Sequence, residues 1–371
     1  MQAFNELKPS QRILLGPGPS NVHPRVYQAL ATRIVGHLDP EFLQIMDEIQ
    51  QLLRFVFQTK NQFTIAVSGT GSAGMEAAFV NVIEPGDKVI VGVNGVFGMR
   101  MSDIVSRCGA TPLEIKKSWG ESIDLQEIED VLKQQDKVKA VAIVHAETST
   151  GVQQPMDGIG ELCKQHGALL IVDAVTSLGG LPVKVDEWLV DVCYSGTQKC
   201  LSCPPGLAPI TFSDQALDIL KNRSSKIQSW YLDMSMIAGY WSEKSRAYHH
   251  TAPISMNYAL REALRLIQEE GLEQRFDRHK NNSAELIRGL QKLGLSPFVE
   301  ESKRLPTLNS IAISPDIEEV IIRKRLLTEY NIEIGGGLGE LAGKIWRIGL
   351  MGESSQKVNI VYLIAALEEL L

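Results

Sequence analysis

The sequence predicts an α/β fold, with a large domain built on a mostly parallel sheet and a smaller α+β C-terminal domain. Three observations point there. Between about residues 62 and 215, short continuous apolar runs alternate with amphipathic stretches. After about residue 270 the pattern changes to shorter, mixed segments. The chain has 371 residues, 44% hydrophobic and 22% charged, which is more core material than one small core needs.

The opening "LLGPGPSNVHP" is rich in proline and glycine and reads as an arm too irregular to be a core element. "FTIAV", "DKVIVGV", "KAVAIVHA", "ALLIVDAV" and "VDVCYSG" then read as five strands, continuous rather than alternating and therefore buried on both faces. Between them lie the helical candidates "GMEAAFVNVI", "GMRMSDIVSRCG", "DLQEIEDVLKQQ" and "GIGELCKQHG", the last two closing on polar or glycine stops. Strand and helix in turn give βα units, a mostly parallel sheet, and ligands at the carboxyl ends of the strands. "ISMNYALREALRLIQEEGLEQRFDRHKNNSAELIRGLQKLG" reads as a long helical region broken near Gly271, and "LNSIAIS", "NIEIGGGLG", "KIWRIGL" and "QKVNIVYLIAALEELL" supply the second domain. The expected division is an arm over 1–20, a large domain over 21–270 and a small domain over 271–371.

A net charge of −7 and a pI near 5.6, with no Lys/Arg cluster beyond pairs, argue against nucleic acid or an anionic membrane as partner. Small molecules and another copy of the chain are the expected partners. Five cysteines, an odd number spread along the chain, make no disulfide framework and point to a reducing compartment. Cys200 and Cys203 form a C-x-x-C, but no second ligand pair accompanies them and Pro204-Pro205 follows, so they read as packing rather than a metal or redox site. No basic segment leads into an apolar one at the start, and no window of about 18 apolar residues occurs. The expected location is the cytoplasm.

Three strand ends carry the chemistry. The first opens into "SGTGSAGMEAA", where glycines let successive N–H groups converge, a helix N-terminus adds positive potential, and Thr70 and Ser72 add hydroxyls: a phosphate cup. Gly69, Gly71 and Gly74 also satisfy G-x-G-x-x-G, so the motif alone does not say which phosphate. A dinucleotide site wants a carboxylate at the end of the next strand, and that place holds Val93-Asn94-Gly95. The fourth run closes on Asp173, a carboxylate costly to bury without a cation. A metal would need further ligands; no convergent set is seen, and His249-His250 would point opposite ways on an extended segment. The fifth run leads to Lys199, whose neighbours Ser195 to Gln198 and Cys200 to Gly206 are all uncharged. Phosphate cup, buried aspartate and isolated lysine, in strand order, are the three anchors of pyridoxal 5′-phosphate, with the lysine forming a Schiff base to the aldehyde.

"DVCYSGTQKCLSCPPGLAPI" resembles the lysine signature of the class V aminotransferases. "SGTGSAGMEAAFVNVIEPGDKVIVGVNGVFG", "TSTGVQQPMDGIGELC", "IVDAVTSLGGLPV", "YHHTAP" and "WRIGLMG" resemble the alanine–glyoxylate and serine–pyruvate branch. The resemblance spans nearly the whole chain. It implies a pyridoxal-phosphate transferase of fold type I, a homodimer whose active sites are shared between subunits, and amino-acid and keto-acid substrates. It implies that Thr70, Gly71, Ser72 and Gln198 take the phosphate, Thr148 the phenolic edge, Asp173 the ring nitrogen, and that Phe97 and Val175 pack on the ring. Lys199 would carry the Schiff base, Tyr248 and Thr251 would reach the neighbouring subunit's cofactor, and Arg347 would clamp the substrate carboxylate, as a planar two-donor guanidinium suits. Phe97 stands where animal members have tryptophan, Ser72 where they have histidine, and Phe55 where they have a tyrosine that crosses the dimer.

The reaction expected is ping-pong transamination of alanine or serine with glyoxylate or pyruvate. Lys199 would move the proton, its uncharged flanks keeping the amine partly neutral. Two readings compete. One is a different pyridoxal reaction on the same fold, such as kynurenine cleavage or cysteine desulfuration, the latter needing a mobile nucleophilic cysteine that no evident loop offers. A non-catalytic nucleotide-binding module would use only Gly69 to Gly74.

Overall fold

Seven strands form the central sheet of the computed structural model, which describes residues 4–242 and 246–371. They are β1 (Phe63–Ser68), β2 (Lys88–Val93), β3 (Thr111–Lys116), β4 (Ala140–Val144), β5 (Leu169–Asp173), β6 (Val192–Tyr194) and β7 (Leu207–Phe212), in the spatial order β1-β7-β6-β5-β4-β2-β3. The inner strands β4, β5, β6 and β7 are buried along their whole length, as their unbroken apolar sequences require. β3, β2, β4, β5 and β6 run parallel, whereas β7 is antiparallel to both β6 and β1.

The five anticipated strands are present, and two more join them. β3, "TPLEIK", alternates charged and apolar residues and contains Pro112, as suits an edge strand with one face toward solvent. β7, "LAPITF", contains Pro209 and yet lies inside the sheet. A proline usually argues against an interior strand, because it offers no N–H to the ladder.

Helix α1 (Gly71–Val82) follows β1, and α2 (Val96–Arg107) follows β2. Gly74 lets α1 seat on the sheet: a Cβ there would stand 2.9 Å from that of Ala208 in β7. The long C-terminal helical region is two helices, α3 (Ile254–Glu270) and α4 (Leu272–Lys292), meeting at Gly271 with φ 84°. That left-handed conformation suits glycine and breaks the region where expected.

A second, four-stranded antiparallel sheet comprises β8 (Ser296–Pro297), β9 (Leu308–Ala312), β10 (Gly335–Gly336) and β11 (Ile345–Gly349), ordered β8-β9-β11-β10. Its core gathers Trp346, Ile348, Leu326, Leu363 and Leu367, with Leu286 and Leu290 from the far end of α4, while Leu272 and Phe276 at the near end pack into the large core. The arm departs from expectation. Ile13–Leu14 pairs in parallel with Ile332–Glu333, and Leu15 is fully buried in the C-terminal core. Proline and glycine make the arm irregular without making it peripheral, because its backbone groups find partners in Asn331, Glu333 and Gly349. No helix among the described residues is long and apolar enough to cross a membrane.

Candidate active site

The carboxyl ends of β1, β4, β5 and β6 open on one edge, and the residues singled out from sequence fall around it. β1 ends at Ser68, Gly69 turns the chain with φ 152°, and Thr70 starts α1 without spending its hydroxyl on the helix cap. A side chain at Gly69 would strike the Cβ of Ala73 at 2.6 Å, so the tight turn into the helix demands glycine. Gly71 is buried, and Thr70 and Ser72 are exposed beside the first N–H groups of α1. A Cβ on Gly71 would lie 3.5 Å from Val175 Cγ2 and 3.5 Å from Gly196 Cα, so the cup faces Val175 and the β6 turn across a narrow gap.

Asp173 closes β5 at 2% exposure. Its Oδ1 accepts from Val175 N at 2.8 Å and its Oδ2 from the Tyr194 hydroxyl at 2.9 Å. Burial pushes the carboxyl up to about 7; the two hydrogen bonds and the Lys199 charge act the other way without offsetting it. Two neutral donors are little for a fully buried carboxylate, so the site wants a cation there. Lys199 is partly buried, and desolvation lowers its amine to about 8, with the Arg347 charge acting in the same direction. Its Nζ donates to the carbonyl oxygen of Pro17, and a Cβ on Gly18 would overlap the lysine. Ser20 fastens the arm there: its N–H donates to Gln198 O at 2.9 Å and its hydroxyl to Lys199 O at 2.7 Å.

Arg347 in β11 is 6% exposed, not a solvent-facing strand arginine. Its Nε donates to Gly336 O at 2.7 Å and its Nη1 to Thr148 O at 3.1 Å, which ties the second sheet to the β4 end. Phe97 lies in the first turn of α2, half-buried, with the Arg100 guanidinium 5.0 Å from its ring centroid; Arg100 also donates to Ser72 Oγ at 3.4 Å. Contacts thus link Gly71 to Val175, Val175 to Asp173, Ser72 to Phe97 through Arg100, and Thr148 to Arg347, while Gln198 and Lys199 follow the adjoining β6.

Tyr248 and Thr251 do not join them. Tyr248 is 60% exposed, its ring tilted on His37 at 5.3 Å, and Thr251 is exposed. Between them the histidines overturn one expectation. His249 and His250 do not diverge: their Nδ1 atoms are 2.8 Å apart and hydrogen-bonded, because this segment curls instead of forming a strand. His250 Nε2 bonds Ser68 Oγ at 2.7 Å, and Trp230 stacks on His249 at 4.6 Å. Among the described residues no group of three or more His, Cys, Asp or Glu could hold a metal. Cys200 and Cys203 are buried free thiols, Cys200 pushed up to about 12 by desolvation, and neither is poised to react.

Phe55 is 37% exposed on the 40–57 helix, beside Arg54, Gln58 and Leu272 in a surface hollow. Sequence reading passed over Tyr194, Pro17, Arg100 and Glu147. The aromatic in "CYSG" next to an expected buried carboxylate and the lone acid of "HAETSTG" were the signals available for two of them.

These residues fit a phosphorylated pyridine. The buried carboxylate lacks a cation, Gln198 Oε1 is buried without a partner beside the cup, and the turn at Gly69 presents N–H groups and hydroxyls. A lysine amine near 8 follows β6, which in the spatial order of the sheet lies between β1, leading into the cup, and β5, ending in the carboxylate.

The model of the aminotransferase class-V family matches residues 23–344, most of the chain. (S)-Ureidoglycine–glyoxylate transaminase of Bacillus subtilis is 42% identical, covering 100% of this chain and 93% of that one. Alanine–glyoxylate aminotransferase of Rattus norvegicus is 44% identical over 97% of this chain and 88% of its own. The crystal structure of alanine–glyoxylate aminotransferase from Nostoc sp. superposes with a TM-score of 0.97 at 52% identity, covering 99% of this chain and 97% of that one. The chain belongs to the class-V aminotransferases, enzymes that transfer amino groups with pyridoxal 5′-phosphate.

Proposed function

We propose that this aminotransferase moves the amino group of a small amino acid, alanine or serine, to glyoxylate or pyruvate, with Lys199 as both cofactor anchor and proton carrier. The observation that carries the reading is a lysine lowered to about 8 at the β6 end with a buried carboxylate at the adjoining β5 end. Relatives named for glyoxylate, at 42% and 44% identity, support the acceptor.

In this reading the α1 N-terminus, Thr70, Ser72 and Gln198 hold the phosphate, Phe97 and Val175 enclose the ring, Thr148 meets its phenolic edge, and Asp173 meets its nitrogen as the missing cation. Bound pyridoxal phosphate supplies an electron-withdrawing ring that stabilises negative charge left at the substrate's Cα. Lys199, neutral in a useful fraction near pH 8, takes the Cα proton at Nζ and returns it to the cofactor side. Arg347, held by two carbonyls, orients the substrate carboxylate. Ionised Asp173 keeps the neighbouring nitrogen protonated; its hydrogen bonds from Val175 and Tyr194 fix its orientation.

Exposed Tyr248 and Thr251 have work to do only if they reach a second chain, so a homodimer with shared sites belongs to the proposal. Five free buried thiols support a reducing compartment such as the cytoplasm. The Bacillus relative makes ureidoglycine a second amino donor to weigh against alanine and serine. One experiment decides among them: each amino acid is mixed with the loaded enzyme and the cofactor's absorption band is followed, then glyoxylate or pyruvate is added to restore it. Alanine or serine should convert the band and glyoxylate should restore it. A response only to a large or acidic amino acid would overturn the assignment. Lys199→Ala should lose turnover altogether while remaining folded; near-normal turnover would sink the role given to the lysine.

A further inference from the structure

A carboxylate outside the cofactor set joins the start of α2 to the hairpin that holds Arg347. Glu147 is fully buried in the short hairpin made by Ala146–Glu147 and Val152–Gln153. Its Oε2 accepts from Phe97 N at 3.1 Å and Gly98 N at 3.4 Å; its Oε1 accepts from Ser149 N at 3.0 Å and Ser149 Oγ at 2.5 Å. Ser149 Oγ in turn accepts from Val96 N at 2.9 Å. The first three N–H groups of α2 are therefore closed by one hairpin from a distant part of the chain. The contact is tight: a Cβ on Gly95 would stand 2.4 Å from Ser149 Oγ and 2.5 Å from Glu147 Cδ. On the hairpin's other side, Thr148 O receives Arg347 Nη1.

A plain helix cap would explain the hydrogen bonds but not the choice of residue. Capping is ordinarily supplied by a serine, threonine or aspartate next to the helix, at no cost in buried charge. Here a carboxylate is sunk in the interior, where burial pushes its pKa up, and the residue after it anchors the clamp arginine. We propose that Glu147 is a positioning residue: by joining the turn that carries Phe97 to the hairpin that anchors Arg347, it sets the spacing between the aromatic wall and the carboxylate clamp. The inference rests on the roles proposed above for Phe97 and Arg347.

Glu147→Gln tests it with little change of shape. The amide oxygen can still accept from Phe97 and Gly98, but its NH2 cannot accept from Ser149 N, so the hairpin must shift. Four readouts are taken: hydrogen exchange of the 96–98 amides in cofactor-free protein, the circular dichroism of the bound cofactor band per unit absorbance, KM and kcat for glyoxylate, and the same constants in Arg347→Lys and the double variant. Exchange should quicken, the dichroism ratio should change, and KM should rise roughly tenfold with kcat much less affected. In the Arg347→Lys background the KM effect of Glu147→Gln should largely vanish, because both act through one clamp. A lowered melting temperature with unchanged dichroism and KM, or fully additive effects in the double variant, would reduce Glu147 to a helix cap and overturn the proposal. A wild-type protein with no cofactor band would overturn the functional reading first, and this inference with it.

Discussion

The β5–β6 edge and the 246–251 segment, both given to the cofactor in the function proposed above, are built in opposite ways. At the edge, Asp173 and Tyr194 are buried, paired across the parallel ladder and hydrogen-bonded to each other. In the segment, Tyr248 and Thr251 are exposed, and what holds them is the His249–His250 pair fastened to Ser68. One half of the site is preorganised by a single chain; the other half is offered outward. In the proposed dimer, charge placement is rigid whereas phosphate capture has a component completed by assembly.

The largest break in that contrast comes at the rigid end. Asp173→Asn keeps the shape and both neighbours but removes the charge facing the ring nitrogen, and kcat should fall about 10²- to 10³-fold in steady-state assays with little loss of folded protein. Arg347→Ala should come next. Removal of the clamp should raise KM for the keto acid about 100-fold, and a smaller side chain at a buried arginine site should respond partly to added guanidinium. At the outward end, Thr251→Ala should weaken cofactor affinity only about 3- to 10-fold, measured by titrating cofactor-free protein, and the loss should be confined to protein at dimer-forming concentration. An affinity independent of protein concentration would erase the distinction between the two halves.

The smallest effect is a pH dependence, and its sign follows from Asp173. In the cofactor-free fold its carboxyl binds a proton more tightly than in the unfolded chain, about 7 against 3.8. Its contribution to stability is therefore complete below about pH 4 and is lost as pH rises through 7. The melting temperature of cofactor-free protein should fall across that window more than that of Asp173→Asn, and cofactor should abolish the difference. Lys199 runs the other way: with the amine lowered to about 8, cofactor capture should quicken as pH rises through that value.

The rigid half was also the legible half. Continuous apolar runs ending in Ser68, Asp173 and Tyr194 marked strand ends without any tertiary information, because burial on both faces leaves no polar alternation to confuse them. β3 and β7 contain Pro112 and Pro209, and proline argues against a strand; Pro112 lies at an edge, whereas Pro209 lies inside the sheet. Glu147 was passed over and the histidine pair misjudged for a different reason. Their roles depend on which loops meet, and a single carboxylate or a doublet of imidazoles has no periodicity to read. The arm was misjudged because irregular composition was equated with peripheral position, whereas its backbone is bonded at both ends.

That arm has a consequence for how the enzyme comes into being. The amine of Lys199 is roofed by Pro17 and Gly18, and the roof is moored through Arg12 to Asn331, 319 residues further along the chain. A ribosome finishes the cup, the aspartate and the lysine well before it makes the mooring post. The nascent large sheet can thus hold the arm only at its Ser20 end, and the second mooring waits for the last part of the chain to emerge and fold.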